Sequence, residues 1–233
     1  MSCTLPLRGI SSMATKAILA QLIAAFAEKT GQSIDIESIG GVDAAKRVNA
    51  GEAFDIVLLA SDATDRLIAS GHLALNSRVD WALSQVAVAV AGASNAPDIS
   101  SEAALKKAVL AASSISYSTG PSGVYLAQLF ERWGIADAVK AKLVVPPPGT
   151  SVGSLLASGQ VALGFQQLSE LINLSGVKLV GDLPVEVAYT TTFSAATPLR
   201  LDTQQQQAAQ LFLAFLNTPD ANTIKQLHGM TAA

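Results

Sequence analysis

The chain has 233 residues, of which 50% are hydrophobic and 14% are charged, and this composition excludes an intrinsically disordered protein. Its net charge of -3, without a basic run, argues against nucleic-acid binding. A single cysteine, Cys3, excludes an intramolecular disulfide, and His72 and His228 have no partner at metal-ligand spacing, so no metal or other cofactor is expected. No apolar stretch reaches about 18 residues, so membrane insertion is not expected.

Strands and helices alternate from the start of the chain. TLPLRGI, QSIDIESIGG and FDIVLLASD are predicted strands, and the last is continuously apolar, as in a parallel strand buried on both faces. The intervening helices are SSMATKAILAQLIAAFAEKTG, which ends near Gly31, then VDAAKRVNAGE and DATDRLIASGH. Lys16 followed by AILAQLIAAFA resembles a signal-peptide core, but Gln21 interrupts it and the helical spacing favours a helix of the folded protein.

The second half of the chain continues this alternation. The predicted strands are SQVAVAVAGA, SISYSTGPSG, KLVVPPPGT, VALGFQQ, VKLVGDLP and VEVAYTTTFSAA. The predicted helices are SEAALKKAVLAA, VYLAQLFERWGI, SVGSLLASGQ, SELINLSGV and the C-terminal TQQQQAAQLFLAFLNTPDANTIKQLHG. This order predicts an α/β fold with parallel or mixed sheets flanked by helices. The number of strands suggests two sheets connected by long strands at 84–93 and 185–195, giving lobe I at 1–83 plus 193–233 and lobe II at 84–192.

Four strand-to-helix junctions are rich in Ser, Thr and Gly. A helix N-terminus presents unpaired N–H groups and a partial positive charge, which favour an anion, and nearby hydroxyls add donors. Ordinary helix capping explains any single junction equally well. Ligands of open α/β sheets bind outside the carboxyl ends of the strands, so the four junctions together favour an anion site. The candidate ligand-binding residues at the junctions are Ser11, Ser12, Ser61, Ser118, Thr119, Ser122, Gly123, Thr150, Ser151 and Val152.

Three further polar side chains are candidates for the ligand site. Gln166 and Gln167 end a predicted strand, where their amides can donate to a carboxylate or form an ordinary polar strand end. Arg8 is predicted to end the first strand and to pair with a carboxylate. The YSTGPSG segment lacks the Lys of a phosphate-binding Walker loop, which argues against nucleotide hydrolysis.

At these junctions the chain resembles the molybdate-type periplasmic substrate-binding proteins of ABC transporters. The resemblance covers almost the whole chain and includes GISSM, VNAGEAFDIVLLASD, GPSGVYLAQLFERWGI, VGSLLASGQVALGF and AFLNTPDANTIKQLHGM. It implies a two-lobed, periplasmic-binding-protein-like fold of the Venus-flytrap type, with two hinge strands, that closes on a small anion. It also implies ligand contacts from Ser11 or Ser12, Gly40, Gly41, Ser61, Ser122 and Thr150–Val152, with Gln167 where the family usually has a tyrosine.

Two departures from the family pattern bear on the ligand. Gly40–Gly41 replaces a serine-rich loop and Gln167 replaces the tyrosine, and each unpaired ligand oxygen would cost about 1–3 kcal/mol. The two glycines can instead make room for a di- or tricarboxylate. A branch of the same family looks like aconitate isomerase, which shifts a proton along a tricarboxylate and needs a base. Asp62, Lys16 and Tyr117 are candidate bases without a mark of activation, so the catalytic residue is unknown.

The leading interpretation is a non-catalytic solute-binding protein for a molybdate-like oxyanion or a small di- or tricarboxylate. The alternative is an aconitate-isomerase-like enzyme that uses the same cleft. The expected partners are the small anion and, if the protein is exported, an ABC transporter permease. No leader is visible, so we expect the periplasm if a leader has been removed and the cytoplasm otherwise.

Overall fold

The computed structural model describes residues 6–147 and 149–233. Cys3, the first residues of TLPLRGI and Pro148 of KLVVPPPGT lie outside these ranges. The strands are β1 (Leu7–Ser12), β2 (Ile34–Ile39), β3 (Ile56–Ala60), β4 (Val79–Ala91), β5 (Ile115–Tyr117), β6 (Leu163–Gln167), β7 (Val177–Asp182), β8 (Thr190–Ala196) and β9 (Met230–Thr231). The helices are α1 (Lys16–Thr30), α2 (Gly41–Asn49), α3 (Ser61–Ala69), α4 (Glu102–Ala111), α5 (Pro121–Arg132), α6 (Ala136–Lys140), α7 (Val152–Ala157), α8 (Leu168–Leu171), α9 (Thr203–Phe215) and α10 (Pro219–Leu227).

The chain divides into two compact units. Unit 1 consists of Met1–Leu83 and Thr192–Ala233, and unit 2 consists of Ser84–Thr191. The chain passes from one unit to the other twice, once within β4 and once within β8.

Unit 1 is built on strands β2, β1 and β3, which are parallel, followed by β8, which is antiparallel to β3. Every residue of β3 is buried, as its continuous apolar sequence predicts. One hydrophobic cluster contains Phe26, Trp81 and Phe212, and a second contains Ile10 and Leu59. These clusters fix the strand ends from which the site of unit 1 is built.

Unit 2 has its own sheet and core. Strand β6 is parallel to β5 and antiparallel to β4, and β7 is antiparallel to β4. Phe130 of α5 packs edge-on against Phe165 of β6, with 6.1 Å between the ring centroids. Val152 and Leu156 of α7 belong to a separate buried cluster of this unit.

The α/β class with mixed sheets flanked by helices is confirmed. Two predicted strands are corrected. KLVVPPPGT forms only an isolated bridge from Leu143 to Ile115 within the described residues, because proline has no N–H to donate to a strand ladder. The last predicted strand, VEVAYTTTFSAA, begins only at Thr190 as β8, because Val185–Val187 forms a 3-10 turn directly after Pro184. Within the described residues, no helix has the length and apolar character that crossing a membrane would require.

Candidate functional site

The carboxyl ends of β1, β2 and β3 lie at one edge of the unit 1 sheet. Because the strands are parallel, Ser12 at the end of β1 pairs in register with Ile39 at the end of β2. Helix α2 begins at Gly41, two residues after β2 ends, and α3 begins at Ser61, directly after β3. The first N–H groups of a helix have no partner within it, so this edge combines free backbone donors with hydroxyls.

Ser11 and Ser12 play different parts at this edge. Neighbouring side chains of a strand point to opposite faces, and Ser11 shares its face with Ser38, to which its Oγ is hydrogen-bonded at 2.8 Å. Ser12 is only 7% exposed, and its Oγ has no hydrogen-bond partner among the described residues. A buried hydroxyl without a partner costs free energy, so Ser12 is the better candidate for a ligand contact.

The glycines after β2 leave the start of α2 close to Ser12. A Cβ atom placed on Gly41 would lie 3.4 Å from the Cβ of Ser12, which is van der Waals contact. Gly40, the N-cap of α2, has no side-chain oxygen to bond the first helical N–H groups. The N–H groups of this turn are therefore left for solvent or for an anion.

In unit 2, the β5–α5 junction is closed tightly around two serines. The Oγ atoms of Ser118 and Ser122 lie 2.9 Å apart, so one donates to the other. A Cβ atom on Gly123 would lie 1.6 Å from the carbonyl oxygen of Ser118, so only glycine fits. Thr119, in the same junction, is exposed.

Gln166 is held by two partners inside unit 2. Its Oε1 accepts a hydrogen bond from the N–H of Gly153 at 3.0 Å, and its Nε2 donates to Oε1 of Glu170 at 2.6 Å. Burial raises the pKa of the Glu170 carboxyl to about 7, and the hydrogen bond from Gln166 opposes this shift. The side-chain amide of Gln166, a predicted ligand contact, thus links α7 to α8 through these two hydrogen bonds.

Gln167 faces a different environment from Gln166. Its Nε2 donates to Oγ1 of Thr191 at 2.6 Å, while its buried Oε1 has no partner among the described residues. At the neighbouring junction, Ser151 caps α7 by accepting from the N–H of Ser154 at 3.0 Å, and Val152 is buried. Thr150 is half-buried beside them. The ligand-binding role of these residues and of Ser61 stays a prediction.

The structure corrects the placement of Arg8. It is the second residue of β1, so it lies near the start of the strand and not at its carboxyl end. Its guanidinium pairs with Glu52 at 2.9 Å and lies 4.9 Å from the ring centroid of Phe54. These partners, at the opposite end of the strands from Ser12, make Arg8 a surface ion-pair residue.

None of the three candidate bases is activated by its surroundings. Asp62 pairs with Arg66 at 3.0 Å, and both side chains are largely exposed. Lys16 is exposed at the start of α1, and burial raises the pKa of Tyr117, which keeps its phenol protonated at neutral pH. Within residues 6–147 and 149–233, no group of three or more His, Cys, Asp or Glu side chains could hold a metal ion.

A family model described as bacterial extracellular solute-binding protein matches residues 7–231. The chain belongs to this family. The aconitate isomerase of a Pseudomonas species is 36% identical to it over 218 residues, which cover 91% of this chain and 82% of that protein. The molybdate-binding protein of Azotobacter vinelandii is 26% identical over 197 residues, which cover 78% of this chain and 73% of that protein.

Solved structures of solute-binding proteins share the fold. The periplasmic molybdate-binding protein of Azotobacter vinelandii has a TM-score of 0.79 at 22% identity and covers 97% of this chain and 98% of its own. A periplasmic thiamin-binding protein has a TM-score of 0.78 at 15% identity and covers 100% of this chain and 84% of its own. The predicted periplasmic-binding-protein-like fold and the resemblance to molybdate-type binding proteins are confirmed.

The sequence does not single out three side chains of this solute-binding protein that hold the candidate residues in place. They are Ser38, which binds Ser11, Glu170, which binds Gln166, and Thr191, which binds Gln167. Ser38 occupies the same register position as Ser11 on the adjacent parallel strand, and that alignment could have identified it. No comparable signal marks Thr191, whose partner is 24 residues away in the chain.

Proposed function

We propose that this solute-binding protein binds a small polycarboxylate at the carboxyl edge of the unit 1 sheet, through Ser12 and the N–H groups at the start of α2. The buried, unpaired Oγ of Ser12 carries the proposal, since a donor enclosed without a partner is poised to bind an acceptor oxygen. The helix N-terminus beside it favours a negatively charged ligand.

The class of ligand follows from the space at Gly41 and from the relatives. Glycine at this position adds no hydroxyl and leaves room beside Ser12, which suits a ligand larger than a tetrahedral oxyanion. The relative named for aconitate, a tricarboxylate, is also more similar to this chain than the relative named for molybdate, at 36% against 26% identity. Both features favour a tricarboxylate over molybdate.

Calorimetric titration of trans-aconitate, citrate, molybdate and sulfate tests the proposal. We expect saturable binding of a tricarboxylate, weakened about tenfold or more in Ser12→Ala, because a hydrogen bond to a charged group is worth about 1.5–3 kcal/mol. Ser70→Ala is the matched control, because Ser70 lies after the opposite end of α3 and bonds the carbonyl of Leu67. Equal affinity of Ser12→Ala and the parent protein would remove Ser12 from the site, and binding of molybdate alone would overturn the ligand class.

A second candidate function is isomerisation of the bound tricarboxylate. The observation that favours it is the 36% identity to the Pseudomonas aconitate isomerase, over 91% of this chain. The reaction removes a proton beside a carboxylate and returns it to another carbon, which requires a base at the ligand. Proton NMR of trans-aconitate with a trace of protein tests this, since turnover carries the substrate to its equilibrium mixture of isomers in large excess over the protein, whereas binding alone leaves it unchanged.

Membership of this family also bears on location and partners. We propose that the protein delivers its ligand to an ABC transporter permease outside the cytoplasm, as its family implies. If the protein proves to be an isomerase, turnover needs no permease. Fractionation of the native host, with detection of the protein in the periplasm, supports the transport role, and its detection in the cytoplasm alone contradicts it.

A further inference from the structure

Unit 1 contains a cavity of about 660 Å³ beside the start of β3, at the other end of the sheet from Ser12. Asp55, which directly precedes β3, lines it, and so does Pro198, which follows the antiparallel strand β8. Its volume lies within the range of about 300–1,000 Å³ typical of small-molecule sites. The cavity is therefore large enough for a second small ligand.

Most of the cavity wall is apolar. Phe54, Val57 and Leu73 are buried side chains that line it, and the exposed Leu199 lies at its margin. Two arginines, Arg8 and Arg47, lie over the ring of Phe54, so the aromatic side chain is held in place. Such a wall favours the hydrocarbon part of a ligand.

The two carboxylates of the cavity are already satisfied. Glu52 accepts from Arg8 at 2.9 Å and from Arg47 at 2.6 Å. Asp55 accepts from the N–H of Arg8 at 2.7 Å and from Nε2 of Gln205 at 3.1 Å. Both carboxylates therefore have hydrogen-bond donors, and the charge of Glu52 is paired with two guanidinium groups.

The basic side chains of the cavity, in contrast, remain available. Arg200 forms no ion pair or hydrogen bond with any described residue and is exposed. The half-buried ring of His72 likewise has no hydrogen-bond partner within the part of the chain that the structure describes. A guanidinium beside an apolar wall matches a ligand that combines a carboxylate with a hydrophobic body.

We propose that this cavity is a second binding site of unit 1, for a small monocarboxylate with an aromatic or branched aliphatic body. The carboxylate pairs with Arg200, and the hydrocarbon packs against the accessible side chains of Pro198 and Leu199 that line the cavity. The site is separate from the polycarboxylate site at Ser12 and does not depend on it.

NMR titration with phenylacetate tests the second site, with phenylacetamide as the neutral analogue and acetate as the carboxylate without a body. We expect saturable shifts of the His72 ring and of the Gly71 amide with phenylacetate, and much weaker effects with either analogue. Arg200→Gln should weaken phenylacetate binding about two- to fivefold, as expected for an exposed ion pair. Arg66→Gln is the matched control, because Arg66 is an exposed arginine of the same unit that does not line the cavity.

Ser12→Ala separates the second site from the first. Unchanged phenylacetate affinity in this variant supports an independent site, whereas a parallel loss would show that phenylacetate occupies the polycarboxylate site. Equal binding of phenylacetamide and phenylacetate would overturn the role of Arg200. The absence of saturable shifts at His72 and Gly71 would overturn the site itself.

Discussion

Replacing Glu170 with Gln should stabilise the protein at alkaline pH and leave its stability unchanged in acid. Glu170 is the third residue of α8, and its Oε1 accepts from Nε2 of Gln166 at 2.6 Å. A glutamine at position 170 keeps the shape and an acceptor oxygen but cannot ionise. The variant therefore isolates the cost of ionising the carboxyl of the half-buried Glu170.

The size and sign of the effect follow from the pKa of Glu170, which burial raises from 4.5 to about 7. Between these values the unfolded chain is ionised while the folded protein holds a proton, so stability falls as pH rises from about 4.5 to about 7. The full difference corresponds to at most about 3 kcal/mol, since one pKa unit is worth about 1.4 kcal/mol. Above pH 7, Glu170→Gln should exceed the parent protein by up to that amount.

Urea unfolding of the whole protein, followed at pH 4 and pH 8, measures this effect. The corresponding rise in melting temperature at pH 8 is roughly 5 to 10 °C for a chain of this size. Glu131→Gln is the matched control, because Glu131 is an exposed carboxylate of the same unit. A difference independent of pH would contradict a raised pKa of Glu170, and a variant less stable than the parent at pH 8 would show that the ionised carboxylate is stabilised in the folded protein.

Three further substitutions probe burial and packing. Ser12→Ala should stabilise the ligand-free protein by up to about 1 kcal/mol in urea unfolding, because it removes a buried unpaired hydroxyl. A loss of stability would show that the Ser12 hydroxyl has a hydrogen-bond partner in the ligand-free protein. Gly123→Ala should lower the free energy of unfolding by more than about 3 kcal/mol, because its Cβ would clash with the carbonyl oxygen of Ser118. Gly120→Ala should cost less than about 1 kcal/mol, because the nearest atom to its Cβ would be 3.9 Å away. Similar losses for both variants would contradict the clash. Burial lowers the pKa of Lys225 to about 8, so Lys225→Met should stabilise the protein by about 1–3 kcal/mol below pH 8. This gain should shrink toward pH 10, because the lysine of the folded protein loses its proton at a lower pH than the lysine of the unfolded chain. A gain that does not depend on pH would contradict the lowered pKa.

Much of the fold could be predicted from the sequence because hydrophobic periodicity and helix ends are local signals. Strand β3 was recognisable from an unbroken apolar run, and helix α1 ends where Gly31 adopts a φ of 72°. The error at KLVVPPPGT has the opposite cause. Its apolar residues have the pattern of a strand, but its prolines lack the backbone N–H groups that a strand ladder requires.

The candidate site was less predictable because it depends on contacts between distant parts of the chain. Ser11 and Ser12 are indistinguishable in the sequence, and only pairing with Ser38 on β2 separates a bonded hydroxyl from an unpaired one. Gln166 looks like a free donor until Gly153 and Glu170 are seen to occupy its amide. Arg8 was misplaced because β1 extends further than its apolar residues suggest, to include the two serines.

A tricarboxylate needs positive charge at its binding site as well as space, and Lys16 is the candidate side chain in unit 1 that could supply this charge. Ser12 and the start of α2 offer neutral donors and a partial helix charge, which suit a divalent oxyanion better than a more highly charged tricarboxylate. Arg8 cannot supply the missing charge, because its partners lie at the other end of β1. Lys16 begins α1 four residues after Ser12, and it forms no ion pair with any described residue. A cation at a helix N-terminus opposes the macrodipole, and a polycarboxylate bound nearby would offset that cost. We therefore predict that Lys16→Gln weakens binding of a tricarboxylate more than binding of molybdate, and equal effects on both ligands would exclude Lys16 from the site.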